Sequence, residues 1–91
     1  MLKHNTYFEG AVQSIGFERN GRRMTVGVIQ KGEFHFGTDS PERMTILSGE
    51  VEVRIGDSWR PYAQGTSFEI AGKSAFDIRA AQPAAYLCEF L

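Results

Sequence analysis

The chain has 91 residues, of which 42% are hydrophobic and 23% are charged. This length supports one compact core, so we expect a single domain over residues 1–91. Because the formal net charge is only -1 at pH 7, the sequence offers no basic field for the backbone of a nucleic-acid polymer, and we expect no such partner.

Short runs rich in Val, Ile, Phe, Thr and Tyr predict a β-protein. Turn pairs such as Asn20-Gly21, Ser48-Gly49 and Gly56-Asp57 separate the runs. In chain order, the predicted strands cover residues 11–14, 24–30, 32–37, 44–47, 50–55, 66–70, 75–80 and 84–90. Short antiparallel strands with this spacing predict an all-β fold, either a closed barrel or a double-sheet jelly roll.

Alternation along these strands indicates which side chains face the core, because successive side chains point to opposite faces of a sheet. Arg43, Arg54 and Arg79 alternate outward beside acidic neighbours, which predicts solvated faces there. The side chains predicted to face inward include Phe34, Phe36, Thr38, Val51, Val53, Ile55, Phe76, Ile78, Tyr86, Cys88 and Phe90.

Glu42 is an acidic residue with inward parity. It shares its parity with Met44 and Ile46, which are expected in the interior. A carboxylate that faces a cavity is costly unless it is paired, hydrogen-bonded or protonated. The alternative is that the chain bends at Pro41 and leaves Glu42 in solvent at the edge of its strand.

Two motifs resemble the core of the cupin superfamily, whose members are small jelly-roll barrels. They are Glu42 followed by Gly49, and the segment AQGTSFEIAGKSAFDI at residues 63–78. In metal-binding cupins the first motif carries two histidines and the second carries another, but here these positions fall near Phe36, Thr38 and Phe76. A transition metal requires several converging ligands, so we expect no protein-bound metal.

Longer strings resemble one family of compact cupins over nearly the whole chain. NTYFEGAVQSIGF, PERMTILSG, GTSFEIAGKSAF and YLCEFL together are similar to the pyrimidine/purine nucleoside phosphorylase family. The resemblance implies cleavage of purine and pyrimidine nucleosides by inorganic phosphate, giving ribose 1-phosphate and free base, with phosphate as co-substrate and no cofactor. Ala71 precedes Gly72 where the family often has proline.

Such a reaction needs groups that hold the ribose, the base and phosphate. Glu42 is the predicted catalytic residue, either as a carboxylate that accepts ribose hydroxyls or as an acid toward the departing base. The predicted substrate-binding residues are Phe36, Thr38, Met44, Phe76 and Tyr86, and among them the rings of Phe36, Phe76 and Tyr86 could stack on a base. Arg23 and Ser40 are the predicted phosphate-binding residues, and Lys73 could add charge.

Simpler interpretations remain open for several of these residues. The aromatic side chains can be ordinary core, Arg23 can be a surface residue in a turn, and Cys88 is expected to be a small buried hydrophobe with no base beside it. Trp59 lies in a predicted loop and could anchor a dimer interface. At the level of function, the alternatives to an enzyme are a non-catalytic cupin that binds a sugar or nucleotide and a dimerisation module.

The start of the chain and its cysteine content bear on location. The first residues contain no apolar stretch long enough for a secretory signal, and no window is long and apolar enough to span a bilayer. The single cysteine, Cys88, fits a reducing compartment. We therefore expect a cytoplasmic protein with no membrane partner. Because so short a chain buries a modest core, we also expect a homodimer.

Overall fold

The computed structural model describes residues 2–91, which form ten β-strands and one short 3-10 turn at Phe8–Gly10. The strands are β1 (Lys3–Tyr7), β2 (Val12–Arg19), β3 (Arg22–Ile29), β4 (Gly32–Gly37), β5 (Glu42–Ser48), β6 (Glu50–Ile55), β7 (Ser58–Ala63), β8 (Ser67–Ile70), β9 (Ala75–Ala80) and β10 (Ala84–Phe90). The prediction of an all-β fold is confirmed. Within this part of the chain no helix is long and apolar enough to cross a membrane.

The strands form two antiparallel sheets. The larger sheet has the order β1-β2-β3-β10-β5-β8, and the smaller has the order β4-β9-β6-β7. Buried side chains from both sheets join one apolar cluster, in which the largest fully buried members are Val12, Ile29, Ile46, Val53, Ile70 and Ile78. The strand spacing predicts either a closed barrel or a double-sheet jelly roll, and the structure has the double-sheet arrangement.

Two strands lie where the sequence predicts none. β1 pairs with β2 over its whole length, although its sequence KHNTY lacks an apolar alternation. β7 contains Pro61 and pairs with β6 alone, as expected for an edge strand, where a missing N–H is tolerated. Trp59 therefore lies in a strand opposite Arg54, and the prediction that it lies in a loop is wrong.

The predicted inward faces agree with burial along the strands, with one clear exception. Ile55 is 42% exposed, because it is the last residue of β6 and the core ends before the turn that follows. The predicted outward arginines form ion pairs with acidic side chains. These pairs are Arg43 with Glu69, Arg54 with Asp77 and Arg79 with Glu52.

Candidate active site

A cavity of about 320 Å³ opens between the two sheets, beside the start of β5 and the end of β10. Of the sequence-predicted site residues, Thr38 and Lys73 do not line it. The predicted residues that the cavity brings together are Arg23, Phe36, Ser40, Glu42, Met44, Phe76 and Tyr86. Residues from five strands and from the loop between β4 and β5 thus converge on one space.

Glu42 is the first residue of β5 and lies between Phe90 of β10 and Ile70 of β8. Its side chain lines the cavity and is half-buried, so the chain does not turn it away into solvent at Pro41. Its Oε1 accepts a hydrogen bond from the thiol of Cys88, with 3.3 Å between sulfur and oxygen. Burial raises the pKa of the Glu42 carboxyl, the thiol opposes this rise, and the charge of Asp39 adds to it.

The inner face of β10 supplies one wall of the cavity through Tyr86, Cys88 and Phe90. Tyr86 lies opposite Gly27 of β3, and a Cβ atom on Gly27 would come within 2.5 Å of the Tyr86 ring and hydroxyl. The absence of a side chain at position 27 therefore makes room for the ring. Burial raises the pKa of the Tyr86 phenol, so this hydroxyl stays protonated at neutral pH.

Aromatic rings form a second wall. Phe36 of β4 and Phe76 of β9 are directly opposite in register and stack with centroids 5.7 Å apart. Tyr7, the last residue of β1, also lines the cavity and meets the Phe36 ring edge-on at 6.1 Å. The sequence-based prediction missed Tyr7 because it missed β1. This wall offers flat apolar faces of the kind that stack on planar ligands.

Arg23 is the only basic side chain among the described residues that line the cavity. It belongs to β3, and its guanidinium carbon lies 5.4 Å from the centre of the Phe90 ring. Ser40 and Asp39, from the loop between β4 and β5, line the same cavity. A guanidinium and a hydroxyl are suitable donors to an oxyanion.

Comparison with known proteins agrees with this geometry. Residues 2–90 match the model of a protein family described as "Pyrimidine/purine nucleoside phosphorylase". The chain belongs to this family. A protein of that name from Sorangium cellulosum is 69% identical over 93 aligned positions, which cover all of both chains. The family resemblance of the sequence is thereby confirmed.

Solved structures support the fold assignment of this nucleoside phosphorylase family member. A protein of unknown function from Vibrio parahaemolyticus superimposes with a TM-score of 0.97 at 42% identity, covering 100% of this chain and 99% of that one. A cupin superfamily protein from Desulfitobacterium hafniense gives a TM-score of 0.76 at 13% identity, covering 88% and 76%. The predicted cupin fold is confirmed.

Two residues that the sequence places at the phosphorylase site lie elsewhere. The Thr38 hydroxyl donates to the carbonyl of Ala71 at 2.7 Å and accepts from the N–H of Ser74 at 3.0 Å, so it joins a loop to a turn instead of lining the cavity. Lys73 lies in that turn and is absent from the cavity lining. Its backbone N–H donates to the carbonyl of Asp39 at 3.1 Å.

Cys88 is, after Tyr7, a second functional candidate that sequence reasoning missed. Its predicted burial is confirmed, since it is 4% exposed. The sequence indicated no partner for the thiol, and in the structure the Glu42 carboxylate is its hydrogen-bond partner. Burial, together with the charge of Glu42, raises the pKa of the thiol, which therefore stays protonated and acts as a donor. The contact joins residues 46 positions apart, and strand parity indicates only that both face inward.

The imidazole groups lie away from this cavity. His35 contacts Asp77 at 2.8 Å, and His4 contacts Gln13 at 3.0 Å. Across residues 2–91, no group of three or more His, Cys, Asp or Glu side chains is placed to hold a metal ion. The chemical groups that the cavity offers to a ligand are two carboxylates, a guanidinium, hydroxyls, a thiol and aromatic faces.

Proposed function

We propose that the protein is a nucleoside phosphorylase of broad specificity, which cleaves purine and pyrimidine nucleosides with inorganic phosphate to ribose 1-phosphate and free base. The observation that carries this proposal is the cavity in a chain of this family, where Glu42 lies beside the Phe36 and Phe76 rings and Arg23. Phosphate is the co-substrate, and the reaction uses no metal or other cofactor. The donor set of the cavity supports this, since it lacks the converging ligands of a transition-metal site.

The chemistry assigns a role to Glu42. A phosphate oxygen forms a bond to the anomeric carbon of the ribose while the carbon–nitrogen bond breaks, and the departing base keeps the electron pair and takes up a proton. Positive charge develops on the ribose ring during this displacement. In its ionised form, Glu42 accepts hydrogen bonds from the ribose hydroxyls and stabilises that charge at short range.

The remaining contacts fit the other two parts of the reaction. Arg23 and Ser40 bind phosphate, because a guanidinium and a hydroxyl both donate to its oxygens. The base lies against Phe36 and Phe76, with Tyr7 beside them, while Met44 and Tyr86 complete the pocket. Stacking supports broad specificity, because every base has a flat face and no edge-reading contact is required.

We also propose that the active species is a homodimer in the cytoplasm. A dimer is supported by the short chain and by exposed apolar side chains on the outer face of the larger sheet, including Ile15, Val26 and Val28. The cytoplasmic location is supported by the nucleoside substrates and by the free thiol of Cys88.

An assay for released base tests the reaction. The protein is mixed with uridine or inosine, with and without inorganic phosphate, and free base is separated by chromatography. Release that requires phosphate supports the proposal for both a pyrimidine and a purine nucleoside. Release without phosphate indicates hydrolysis instead, and binding without release indicates a non-catalytic ligand-binding cupin. Activity that survives exhaustive chelation supports metal independence, and loss on chelation contradicts it.

The Glu42→Gln variant tests the assigned residue. It removes the charge but keeps the size and one oxygen, and we expect kcat/KM for uridine and inosine to fall by about 100-fold or more, the scale of a lost catalytic group. Glu50→Gln is the matched control, because Glu50 is an exposed carboxylate of β6 outside the cavity. A Glu42→Gln protein with the kcat/KM of Glu50→Gln would remove Glu42 from the mechanism.

A further inference from the structure

The contact between Cys88 and Glu42 is the feature of the cavity that the proposed reaction does not use. Sulfur and Oε1 are 3.3 Å apart, and both residues line the cavity. Cys88 is held from both sides, because in the larger sheet it lies opposite Thr25 of β3 and Met44 of β5. A side chain in the middle of a central strand is well fixed, whereas Glu42 begins its strand directly after Pro41.

The direction of this hydrogen bond follows from the protonation of the two groups. Burial and the nearby Glu42 charge both disfavour the thiolate, so Cys88 carries its proton at neutral pH. A carboxylate has only acceptor oxygens. The thiol therefore donates to Oε1, which leaves Oε2 for a ligand in the cavity.

We propose that Cys88 is a positioning residue, whose S–H donates to Oε1 of Glu42 and orients the carboxylate toward the ribose. The inference rests on the proposed function, because it assigns Glu42 to the substrate. The contact itself does not depend on turnover, because a donor on β10 orients a carboxylate on β5 and opposes the rise of its pKa.

Other titratable groups near the carboxylate act alongside the thiol. Asp39, in the loop between β4 and β5, favours the neutral form of Glu42, and Arg23 lines the same cavity. From the smaller sheet the cavity receives the apolar side chains of Phe36, Phe76 and Ile78. Among residues 2–91, the titratable or charged groups that line the cavity with Glu42 are Tyr7, Arg23, Asp39, Tyr86 and Cys88. Within this set, Cys88 is the group that donates a hydrogen bond to the carboxylate.

Three substitutions at position 88 separate the donor from the volume of the side chain. Cys88→Ala and Cys88→Val both remove the donor, one leaving space and the other adding bulk, while Cys88→Ser keeps a donor. Without the donor we expect kcat/KM to fall about 2- to 10-fold, the worth of one hydrogen bond. In both donor-free variants, the part of the pH profile of kcat/KM that depends on Glu42 should move to higher pH, because the hydrogen bond from the thiol lowers the pKa of Glu42. Cys88→Ser should stay within about 2-fold of the wild type.

A measurement on the ligand-free protein keeps this test separate from catalysis. The carboxyl carbon of Glu42 is titrated by 13C NMR in each variant, with assignment from Glu42→Gln and a thermal unfolding curve to confirm folding. We expect the titration midpoint to rise in both donor-free variants and to stay near the wild-type value in Cys88→Ser.

The outcomes distinguish the two proposals. An unchanged Glu42 midpoint in Cys88→Ala and Cys88→Val overturns the role of Cys88, whatever the activity of the wild type. Opposite shifts in these two variants also overturn it, because volume rather than the donor would then control the carboxylate. A raised midpoint in both, with a wild type that releases no base from nucleosides, supports the coupling of Cys88 to Glu42 and refutes the proposed phosphorolysis.

Discussion

The effect of Glu42 on stability runs against its proposed function. Its pKa in the folded protein is raised above the ordinary value of 4.5, chiefly by burial. The folded state therefore favours the neutral form, and any stabilisation linked to this proton is present below the unfolded pKa and lost as pH rises through the folded pKa. The charged form of the side chain opposes folding. A role at the site accounts for its position better than a contribution to stability does.

We therefore expect Glu42→Gln to be at least as stable as the wild type at pH 7, because glutamine has no charge to desolvate. The stability difference in favour of the variant should grow as pH rises from about 4.5 through the folded pKa of Glu42 and then level off. Urea denaturation from pH 4 to pH 8 measures this difference. Glu50→Gln, at an exposed position of β6, should show no such growth. A wild type that gains stability over Glu42→Gln as pH rises would contradict the raised pKa.

Among the elements, the loop between β4 and β5 brings Asp39 and Ser40 to the cavity. Thr38 fixes its first part through hydrogen bonds to Ala71 and Ser74, and the N–H of Leu91 donates to the carbonyl of Pro41 at 2.9 Å at the other end. Gly72 allows the close approach, since a Cβ there would lie 2.9 Å from the carbonyl oxygen of Asp39. A loop held at both ends presents its groups with little freedom.

The Thr38→Val variant tests the contribution of this link. Valine keeps the shape but has no hydroxyl, so the Ala71 carbonyl and the Ser74 N–H lose their Thr38 side-chain partner. We expect the free energy of unfolding to fall by about 1–3 kcal/mol, and the KM for phosphate to rise because Ser40 lies in the same loop. Thr38→Ser keeps the hydroxyl and serves as the control in denaturant titrations. Equal stability of the valine and serine variants would show that the hydroxyl is dispensable.

A feature of the structure can be predicted from this sequence where neighbouring residues carry the signal for it. Alternation within one strand places Met44, Phe76 and Tyr86 inside, because parity is a property of neighbouring residues. β1 was not predicted, since its polar sequence becomes a strand only by pairing with β2, and Tyr7 was missed with it. The bond between Cys88 and Glu42 likewise depends on the order of β10 and β5 in the sheet, which alternation does not encode.

At the scale of the whole molecule, the outer faces of the two sheets differ in chemistry. The smaller sheet carries the Arg54–Asp77 and Arg79–Glu52 pairs, each at 2.9 Å, and Trp59 packs beneath Arg79 at 3.9 Å. Trp59 is thus engaged within its own chain, and we do not assign it to a dimer interface. The larger sheet also carries ion pairs, including Arg43–Glu69 and Arg22–Glu89, but it exposes apolar side chains as well, which are Ile15 at 40%, Val26 at 40%, Val28 at 52% and Leu47 at 43%.

We expect the homodimer to form through this apolar face, because a second copy presents the same face and a two-fold axis pairs it with itself. A standard interface buries about 800 Å² per partner. This is roughly one seventh of the 5869 Å² of surface that the chain exposes. One face of a six-stranded sheet can supply an area of that size. Val28→Glu should shift the mass in sedimentation velocity at micromolar concentration from twice 10.2 kDa to 10.2 kDa. Ile55→Glu is the matched control, because Ile55 is similarly exposed but lies in the smaller sheet.

Each possible result of this experiment bears on the choice of face. A dimeric Ile55→Glu with a monomeric Val28→Glu supports the larger sheet, since a buried glutamate without a partner opposes association. The reverse pattern would move the interface to the smaller sheet, at the end of β6. A monomeric wild type would remove the dimer altogether, and the exposed valines would then require another partner. Because the cavity lies between the sheets, we expect a folded Val28→Glu monomer to retain the proposed nucleoside binding.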